Sequence, residues 1–396
     1  MANDSIFFFI DINDSNFTFA AIQKNEENFT LTYNNKVPIE GFKNNLISDF
    51  DLVKKTIKDN IYNAEQKLGV ILKEVILIIN NYDCSIINLT GFQKLNGSQL
   101  TKENITYILN SLKSKIEETE SEKTVIHIFN SKFSLDTKDV ENIPIGLFGN
   151  FYSHELSFFL IKNLYHKNLQ NIFSECNLKI NRIISKNYID GINLIKDDFS
   201  SGTFLNLEIN QESSHIFYFE NSALKFSQDF NFGYELIIKD ICKIISFKSE
   251  TVKKILINFD FLNLSKEELI KKEFFEEKNF RKIEKRLIYQ IAEARIQEKI
   301  ELIILKNLNL SSFLKKDLRI FLKINDFLIS KSFKKIYQSY LSNKGNFDVK
   351  IIENFDEEKF FLNAYSLVQY GWKKEAVPVV LEKKSIITRF FNLFFK

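Results

Sequence analysis

One strand–turn–strand pattern occurs twice in this sequence, the two copies about half a chain apart. The first runs from Ile6 to Ile12, apolar except for Asp11, through the polar turn Asn13-Asp14-Ser15-Asn16, into Phe17 to Ile22. The second runs from Phe204 to Ile209, through Asn210-Gln211-Glu212-Ser213-Ser214, into Ile216 to Phe219. Short apolar runs bounded by polar residues read as buried strands. In both copies an acidic residue, Asp11 or Glu208, and an Ile stand just before the turn. This internal similarity predicts a duplicated fold.

Strand and helix signals alternate around the two copies. Val53, Ile57, Ile61, Ala64 and Leu68 share one helical face, and Gly69 suits the C-cap. Glu74 to Asn80 and Val125 to Phe133 read as strands, and Ile145 to Phe148 as the start of another pairing segment. Thr101 opens a helix to Lys115, with Asn104 where a capping box prefers Glu or Gln. Gly233 to Ile245 is helical by spacing, and Phe280 to Leu305 reads as one long charged amphipathic helix. The pattern is that of a mixed α/β chain of two related halves with one insertion in the first.

Composition narrows the function classes. A formal net charge of +3 over 396 residues, without a basic stripe, gives no footprint for nucleic acid. Cys84, Cys176 and Cys242 are too few and too scattered for a disulfide framework and suit reduced thiols. His127, His154, His166 and His215 lack metal-ligand spacing, so no metal is expected. The run Ile6–Ile10 lacks a basic start and stops at Asp11, unlike a signal peptide. No stretch approaches the roughly 18 apolar residues that cross a bilayer, so a cytosolic chain is expected.

Several segments, taken in order, resemble FtsA, the actin-like cell-division family. GSQLTKENI (97–105) is similar to the start of a helix in that family's small inserted subdomain. VIHIFNSKFSLD (125–136) resembles its strand with a His and a Phe-x-x-Asp ending, and NIPIGLFGN (142–150) its Pro-x-Gly-x-x-Gly turn. IAEARIQEKIELI (291–303) resembles its Arg-x-x-Glu helix, and FFLNAYSLVQYG (360–371) its closing helix. The resemblance implies an actin-like (ribonuclease H-like) duplicated α/β fold, with an inserted 1C subdomain of SHS2 type and a C-terminal amphipathic helix. On that reading 1–82 and 161–200 form subdomain 1A, and 83–160 form 1C. Residues 201–245 and 304–372 form 2A with the closing helix, 246–303 form 2B, 373–384 a linker and 385–396 the membrane-targeting helix.

The resemblance also implies two phosphate-binding turns, and there the sequence departs from the family. The first turn, Asp-Ile-Gly-Thr/Ser in the family, is Asp11-Ile12-Asn13-Asp14-Ser15 here. The second, normally rich in Gly and Thr, is Asn210-Gln211-Glu212-Ser213-Ser214-His215, and the adenine-side glycines are missing near Leu322 to Leu328. Glycines there let backbone N–H groups close around an anion. In their place Gln211 and Glu212 fill space, and Asp14 and Glu212 add negative charge. Like charges about 4 Å apart cost roughly 4 kcal/mol at an effective dielectric near 20. The degenerate nucleotide site comprises Asp11, Asn13, Ser15, Glu208, Asn210, Ser213 and Ser214. No ATPase activity and no cofactor are expected, with ATP and Mg²⁺ kept as the alternative; Asp11 and Glu208 are polar turn residues or residual Mg²⁺ contacts.

Two surfaces remain. The chain ends in an amphipathic stretch with Ile386, Ile387, Phe390, Phe391, Leu393, Phe394 and Phe395 on one broad face, and Arg389 and Lys396 on the other. Too short to span a bilayer, it suits the headgroup plane of an anionic membrane, or else docks on the protein's own core. Arg295 and Glu298, one helical turn apart, match the Arg-x-x-Glu helix that binds the C-terminal tail of the tubulin-like protein FtsZ in the family. Lys282, Lys285 and Arg286 add positive charge for an acidic tail. The resemblance therefore implies a peripheral protein that anchors FtsZ at the division site on the cytoplasmic side of the inner membrane. Other division proteins and self-association complete the expected partners. An actin-like adaptor of type IV pilus assembly and a generic peripheral membrane scaffold are the alternatives. An actin-like kinase or phosphatase would need glycine-rich loops and a catalytic acid that are not visible.

Overall fold

In the computed structural model the described residues are 6–13, 16–24, 29–43, 46–80, 84–198, 202–258, 268–275, 281–314, 317–353 and 356–370. The described parts of 1–200, 221–225 and 356–396 form one compact unit; those of 201–220 and 226–355 form a second.

In the first unit β1 (Ile6–Ile12), β2 (Asn16–Lys24) and β3 (Phe29–Pro38) make an antiparallel meander. A small hairpin, β4 (Phe42–Lys43) with β5 (Leu46–Ile47), leads into helix α1 (Phe50–Leu68). Asp49 caps α1 by accepting from the Leu52 N–H, and Gly69 ends it at φ 67°, a left-handed conformation that costs glycine nothing. The chain returns as β6 (Glu74–Ile79), parallel to β1. Both strands are buried along most of their length, which explains their unbroken apolar runs.

An insertion follows: β7 (Ser85–Lys94), α2 (Lys102–Thr119), β8 (Lys123–Leu135), β9 (Lys138–Val140) and β10 (Phe151–Lys162). Its strands form a separate antiparallel sheet in the order β7-β10-β8-β9. Helix α2 lies so close to β7 that a Cβ on Gly91 would meet Ile108 Cγ2 at 2.4 Å. Helix α3 (Asn163–Glu175), strand β11 (Lys179–Ser185), parallel to β6, and helix α4 (Lys186–Asp198) resume the main sheet. Its order is β11-β6-β1-β2-β3.

The second unit repeats this plan. Strands β12 (Phe204–Ile209), β13 (Ser214–Glu220) and β14 (Ala223–Phe230) form the meander. Helices α5 (Glu235–Ile245), α6 (Ser249–Asn258) and α7 (Lys285–Ile300) precede β15 (Arg319–Ile324), which is parallel to β12. Helix α8 (Phe327–Gly345) joins β15 to β16 (Asp348–Ile352), again parallel. The sheet order, β14-β13-β12-β15-β16, has the connectivity of the first unit. This is the duplicated actin-like arrangement. Helix α9 (Glu357–Tyr370) closes the first unit.

Three local expectations change. Ile145 and Gly146 form a turn, with the Leu147 N–H donating to Pro144 O at 3.2 Å and Gly146 at φ 85°, while Phe148 makes an isolated antiparallel bridge to Gln99; the pairing segment is therefore short and separate from β10, which starts at Phe151. The helix expected over Phe280–Leu305 begins at Lys285, with Phe280 outside the described residues. Glu284, just before it, is extended (φ −77°, ψ 139°) and bridged to Leu269: the Ile270 N–H donates to Ile283 O, and the Lys285 N–H to Glu268 O, both at 2.8 Å. Its last residues, Glu301–Leu305, form a π-helical turn. The Asn104 capping box, imperfect by residue type, forms both of its hydrogen bonds.

Candidate functional site

Each meander turn lies at the end of the first strand of its sheet, and each carries the acid noted in the sequence. In the first unit Asp11 is the penultimate residue of β1 and only 3% exposed. The Asn13 N–H donates to Asn16 O at 3.0 Å, which sets up the turn, and Asn13 Nδ2 donates to Asp11 Oδ2 at 2.8 Å. Lys186, the first residue of α4, puts Nζ 3.0 Å from Asp11 Oδ2 and also donates to Asn13 Oδ1. Asp11 Oδ1 has no hydrogen-bond partner among the described residues. Asp14 and Ser15 lie outside the described residues.

In the second unit Glu208 is penultimate in β12 and stands directly across from Lys323 on β15 and His215 on β13. Lys323 Nζ lies 3.0 Å from Glu208 Oε1. Burial pushes the Glu208 carboxyl up, but Lys323, a hydrogen bond from Asn325 and the nearby His215 outweigh it and hold it at about 2. Glu208 is therefore ionised at neutral pH and already neutralised by a lysine.

A chain of side-chain contacts runs on from this pair. Asn325 Nδ2 donates to Glu208 Oε1 at 2.7 Å and to Asn210 Oδ1 at 2.6 Å. Asn210 Nδ2 reaches Ser213 Oγ at 3.4 Å, Ser213 Oγ meets His215 Nε2 at 2.9 Å, and His215 Nδ1 meets Asp229 Oδ1 at 2.6 Å. Ser214 Oγ donates to Phe232 O at 2.7 Å.

The backbone here is occupied as well. Free N–H groups at a helix start are a ready anion site. At the start of α5, however, the Tyr234 N–H donates to Asn210 O at 2.9 Å and the Glu235 N–H to Gln211 O at 3.0 Å. Gly233 makes that approach possible, since a Cβ there would lie 2.1 Å from Asn210 O. At each acid a phosphate–Mg²⁺ group would meet a lysine ammonium already bound to one carboxylate oxygen, Oδ2 of Asp11 or Oε1 of Glu208.

The expected FtsZ-tail residues do not form one surface. Arg295 donates through Nε to Asp240 on α5 and through Nη1 to Glu298 Oε2 at 2.5 Å, so this clamp is closed on itself. Lys285 is buried and paired with Glu268. Arg286 is exposed but stands nine residues before Arg295, about half a turn out of phase at roughly 100° per residue. Lys282 is exposed on the extended segment before α7. Residues 385–396 lie outside the described residues, and among those described no helix is long and apolar enough to cross a membrane.

Lys186, Lys323, Asn325 and Asp229 were not singled out from the sequence, and His215 was named there only as a turn residue without metal-ligand spacing. Their partners lie on other elements, and only the strand register Glu208↔His215 and Glu208↔Lys323 would have exposed two of them.

No family model matches the sequence. The chain is similar to cell division protein FtsA of Buchnera aphidicola subsp. Schizaphis graminum, 20% identical over 219 residues, 55% of this chain and 52% of that protein. The match thus spans about half the length of that relative. Cell division protein FtsA of Bacillus subtilis is 21% identical over 309 residues, 76% of this chain and 70% of that protein. The solved PilM-PilN type IV pilus biogenesis complex shares 9% identity at a TM-score of 0.49, covering 93% of this chain and 97% of that one. Over 55% to 76% of its length the chain is thus similar in sequence to FtsA cell-division proteins, and its duplicated sheets have the actin-like arrangement described above.

Proposed function

We propose that this chain is a cell-division adaptor that anchors FtsZ filaments to the inner face of the cytoplasmic membrane and works without nucleotide. The sequence similarity to cell division protein FtsA of two bacteria carries the reading. Nucleotide independence is supported by Lys186 and Lys323, each 3.0 Å from the acid that a phosphate-bound Mg²⁺ would approach. Breaking either pair leaves a carboxylate poorly compensated, and an uncompensated buried charge costs several kcal/mol.

Membrane attachment rests on Ile386, Ile387, Phe390, Phe391, Leu393, Phe394 and Phe395, helped by Arg389 and Lys396. Partial burial of seven large apolar side chains supplies a gross gain of roughly 5–10 kcal/mol, at about 1.5–3 for each fully buried one. Ordering the segment removes much of that. Each cation adds about 1 kcal/mol at an anionic surface. Attachment is thus reversible and strengthened when filaments link many copies. Arg286 and Lys282 are the exposed cations available to the acidic FtsZ tail. Arg295 takes part only by exchanging Glu298 for a carboxylate of the tail.

Co-sedimentation with anionic liposomes tests the reading, using the full chain and a truncated chain ending at Lys384, each with and without the FtsZ tail peptide. The full chain alone is expected to pellet, to carry the peptide with it, and to do so equally with or without Mg–ATP. If both forms stay in solution, or both pellet alike, the anchor reading fails.

A further inference from the structure

The second meander turn carries a constellation that the adaptor role does not use, with His215 at its centre. His215 Nδ1 lies 2.6 Å from Asp229 Oδ1 on β14, and Nε2 lies 2.9 Å from Ser213 Oγ. An ionised carboxylate only accepts, so Nδ1 carries the proton, and in the neutral ring Nε2 accepts from the Ser213 hydroxyl. This is the order of nucleophile, base and orienting acid found in acyl-transfer triads.

A fourth group completes it. Asn325 donates both to Glu208 Oε1, at 2.7 Å, and to Asn210 Oδ1, at 2.6 Å. With its oxygen held there, Asn210 turns its Nδ2 toward Ser213 Oγ at 3.4 Å. An amide donor therefore stands beside the Ser213 hydroxyl and fixes the lone pairs of its oxygen, leaving the hydroxyl proton directed at His215 Nε2. Ser213 is half-buried and His215 is buried, but Gln211 and Glu212 beside Ser213 are exposed and the Asp229 side chain is 40% exposed, so a small molecule would approach the hydroxyl from the turn.

We propose that Ser213, His215, Asn210 and Asp229 form an acyl-transfer site for small activated esters or thioesters. Ser213 Oγ bonds to the acyl carbon while His215 Nε2 takes the hydroxyl proton. The bond from the acyl carbon to the leaving oxygen or sulfur then breaks, and the leaving group departs with that proton. Water, giving a proton to His215, cleaves the resulting ester to a carboxylic acid and restores the Ser213 hydroxyl. Ser213 and His215 are catalytic residues, and Asn210, Asp229 and Asn325 are positioning residues. Glu208, facing His215 across the strand pair, also favours the imidazolium that forms.

The test uses the full chain, a fluorophosphonate probe read by peptide mass spectrometry, and 4-nitrophenyl acetate hydrolysis. The expected result is one phosphonyl adduct on Ser213 and ester turnover that falls on the order of 10²-fold in Ser213→Ala. Asp229→Asn is expected to slow labelling as well as turnover, because its amide no longer fixes the Nδ1–H tautomer, and Asp229→Glu to recover part of both. The same contacts serve equally as a staple across the β13–β14 hairpin. Absence of the Ser213 adduct, or undiminished turnover in Ser213→Ala, overturns the catalytic proposal in favour of the staple. Ser213→Ala removes only a turn hydroxyl, so this arm decides even where a His215 variant fails to fold.

Discussion

Lys299 offers a perturbation whose size and sign follow directly from its surroundings. It lies on α7, is 1% exposed, and holds its Nζ 6.0 Å from the Phe232 ring centroid without a hydrogen-bond partner among the described residues. Burial first, and then repulsion from Arg295, lower its pKa from 10.5 to about 7. At about 1.4 kcal/mol for each tenfold change in proton affinity, that drop corresponds to roughly 5 kcal/mol between the two charge states. Between pH 7 and 10.5 the unfolded chain binds the proton that the folded chain releases, so stability rises with pH across that window. The full cost of the buried ammonium is present below about pH 7. Lys299→Met keeps the apolar stem and removes the charge. It is expected to stabilise the protein by about 2–5 kcal/mol near pH 6, with the gain shrinking as pH rises toward 10. Urea unfolding followed by circular dichroism at the two ends of that range measures it. Equal or lower stability of the variant at the acid end, or a gain that does not change with pH, would refute the buried unpaired ammonium.

Gly233→Ala puts a Cβ 2.1 Å from a backbone carbonyl, so the turn and the start of α5 must separate; a loss of about 1–3 kcal/mol is expected in thermal unfolding. Lys186→Met leaves the 3%-exposed Asp11 without its cation and is expected to cost about 3–5 kcal/mol. The double variant with Asp11→Leu should recover most of that loss, and a double-mutant cycle reads the coupling. Asp49→Ala removes the side-chain acceptor for the Leu52 N–H and is expected to cost about 1 kcal/mol in chemical unfolding.

Local chemistry was legible in the sequence, and long-range pairing was not. β1 spans Ile6–Ile12 and β12 spans Phe204–Ile209, the runs marked by apolar character and their polar turns. Helix α1 ends at Gly69, the C-cap that its spacing marked, whose role depends on neighbours within one turn. The start of α7 was not legible, because the extended Glu284 bridges Leu269 on a distant segment, which no local periodicity reveals. The same limit hid the lysines. Asp11 and Lys186 are 175 positions apart, and Glu208 meets Lys323 only through the register of parallel strands. Missing glycines were visible in the turns, but not the lysines that stand against the two acids. Nor did residue spacing show that Arg295 is bound to Asp240 of another helix.

The two acids allow one more step. Asp11 and Glu208 hold equivalent places, penultimate in the first strand of each sheet, but their lysines do not. Lys186 follows the fifth strand in connection order, β11, whereas Lys323 lies within the fourth, β15. A lysine inherited through duplication would occupy one equivalent position in both halves. What the halves share is the electrostatic requirement: a carboxylate at the end of a buried central strand needs a compensating charge within hydrogen-bond reach. Where a metal–phosphate group does not supply it, any lysine whose stem reaches the turn can. Moving the lysine should therefore matter less than removing it. In a Lys323→Met background, a new lysine at Asn325, which already touches Glu208 at 2.7 Å, should restore much of the lost stability. If Lys323→Met/Asn325→Lys is no more stable than Lys323→Met alone, the position of the lysine matters as much as its charge, and the argument from electrostatic compensation fails.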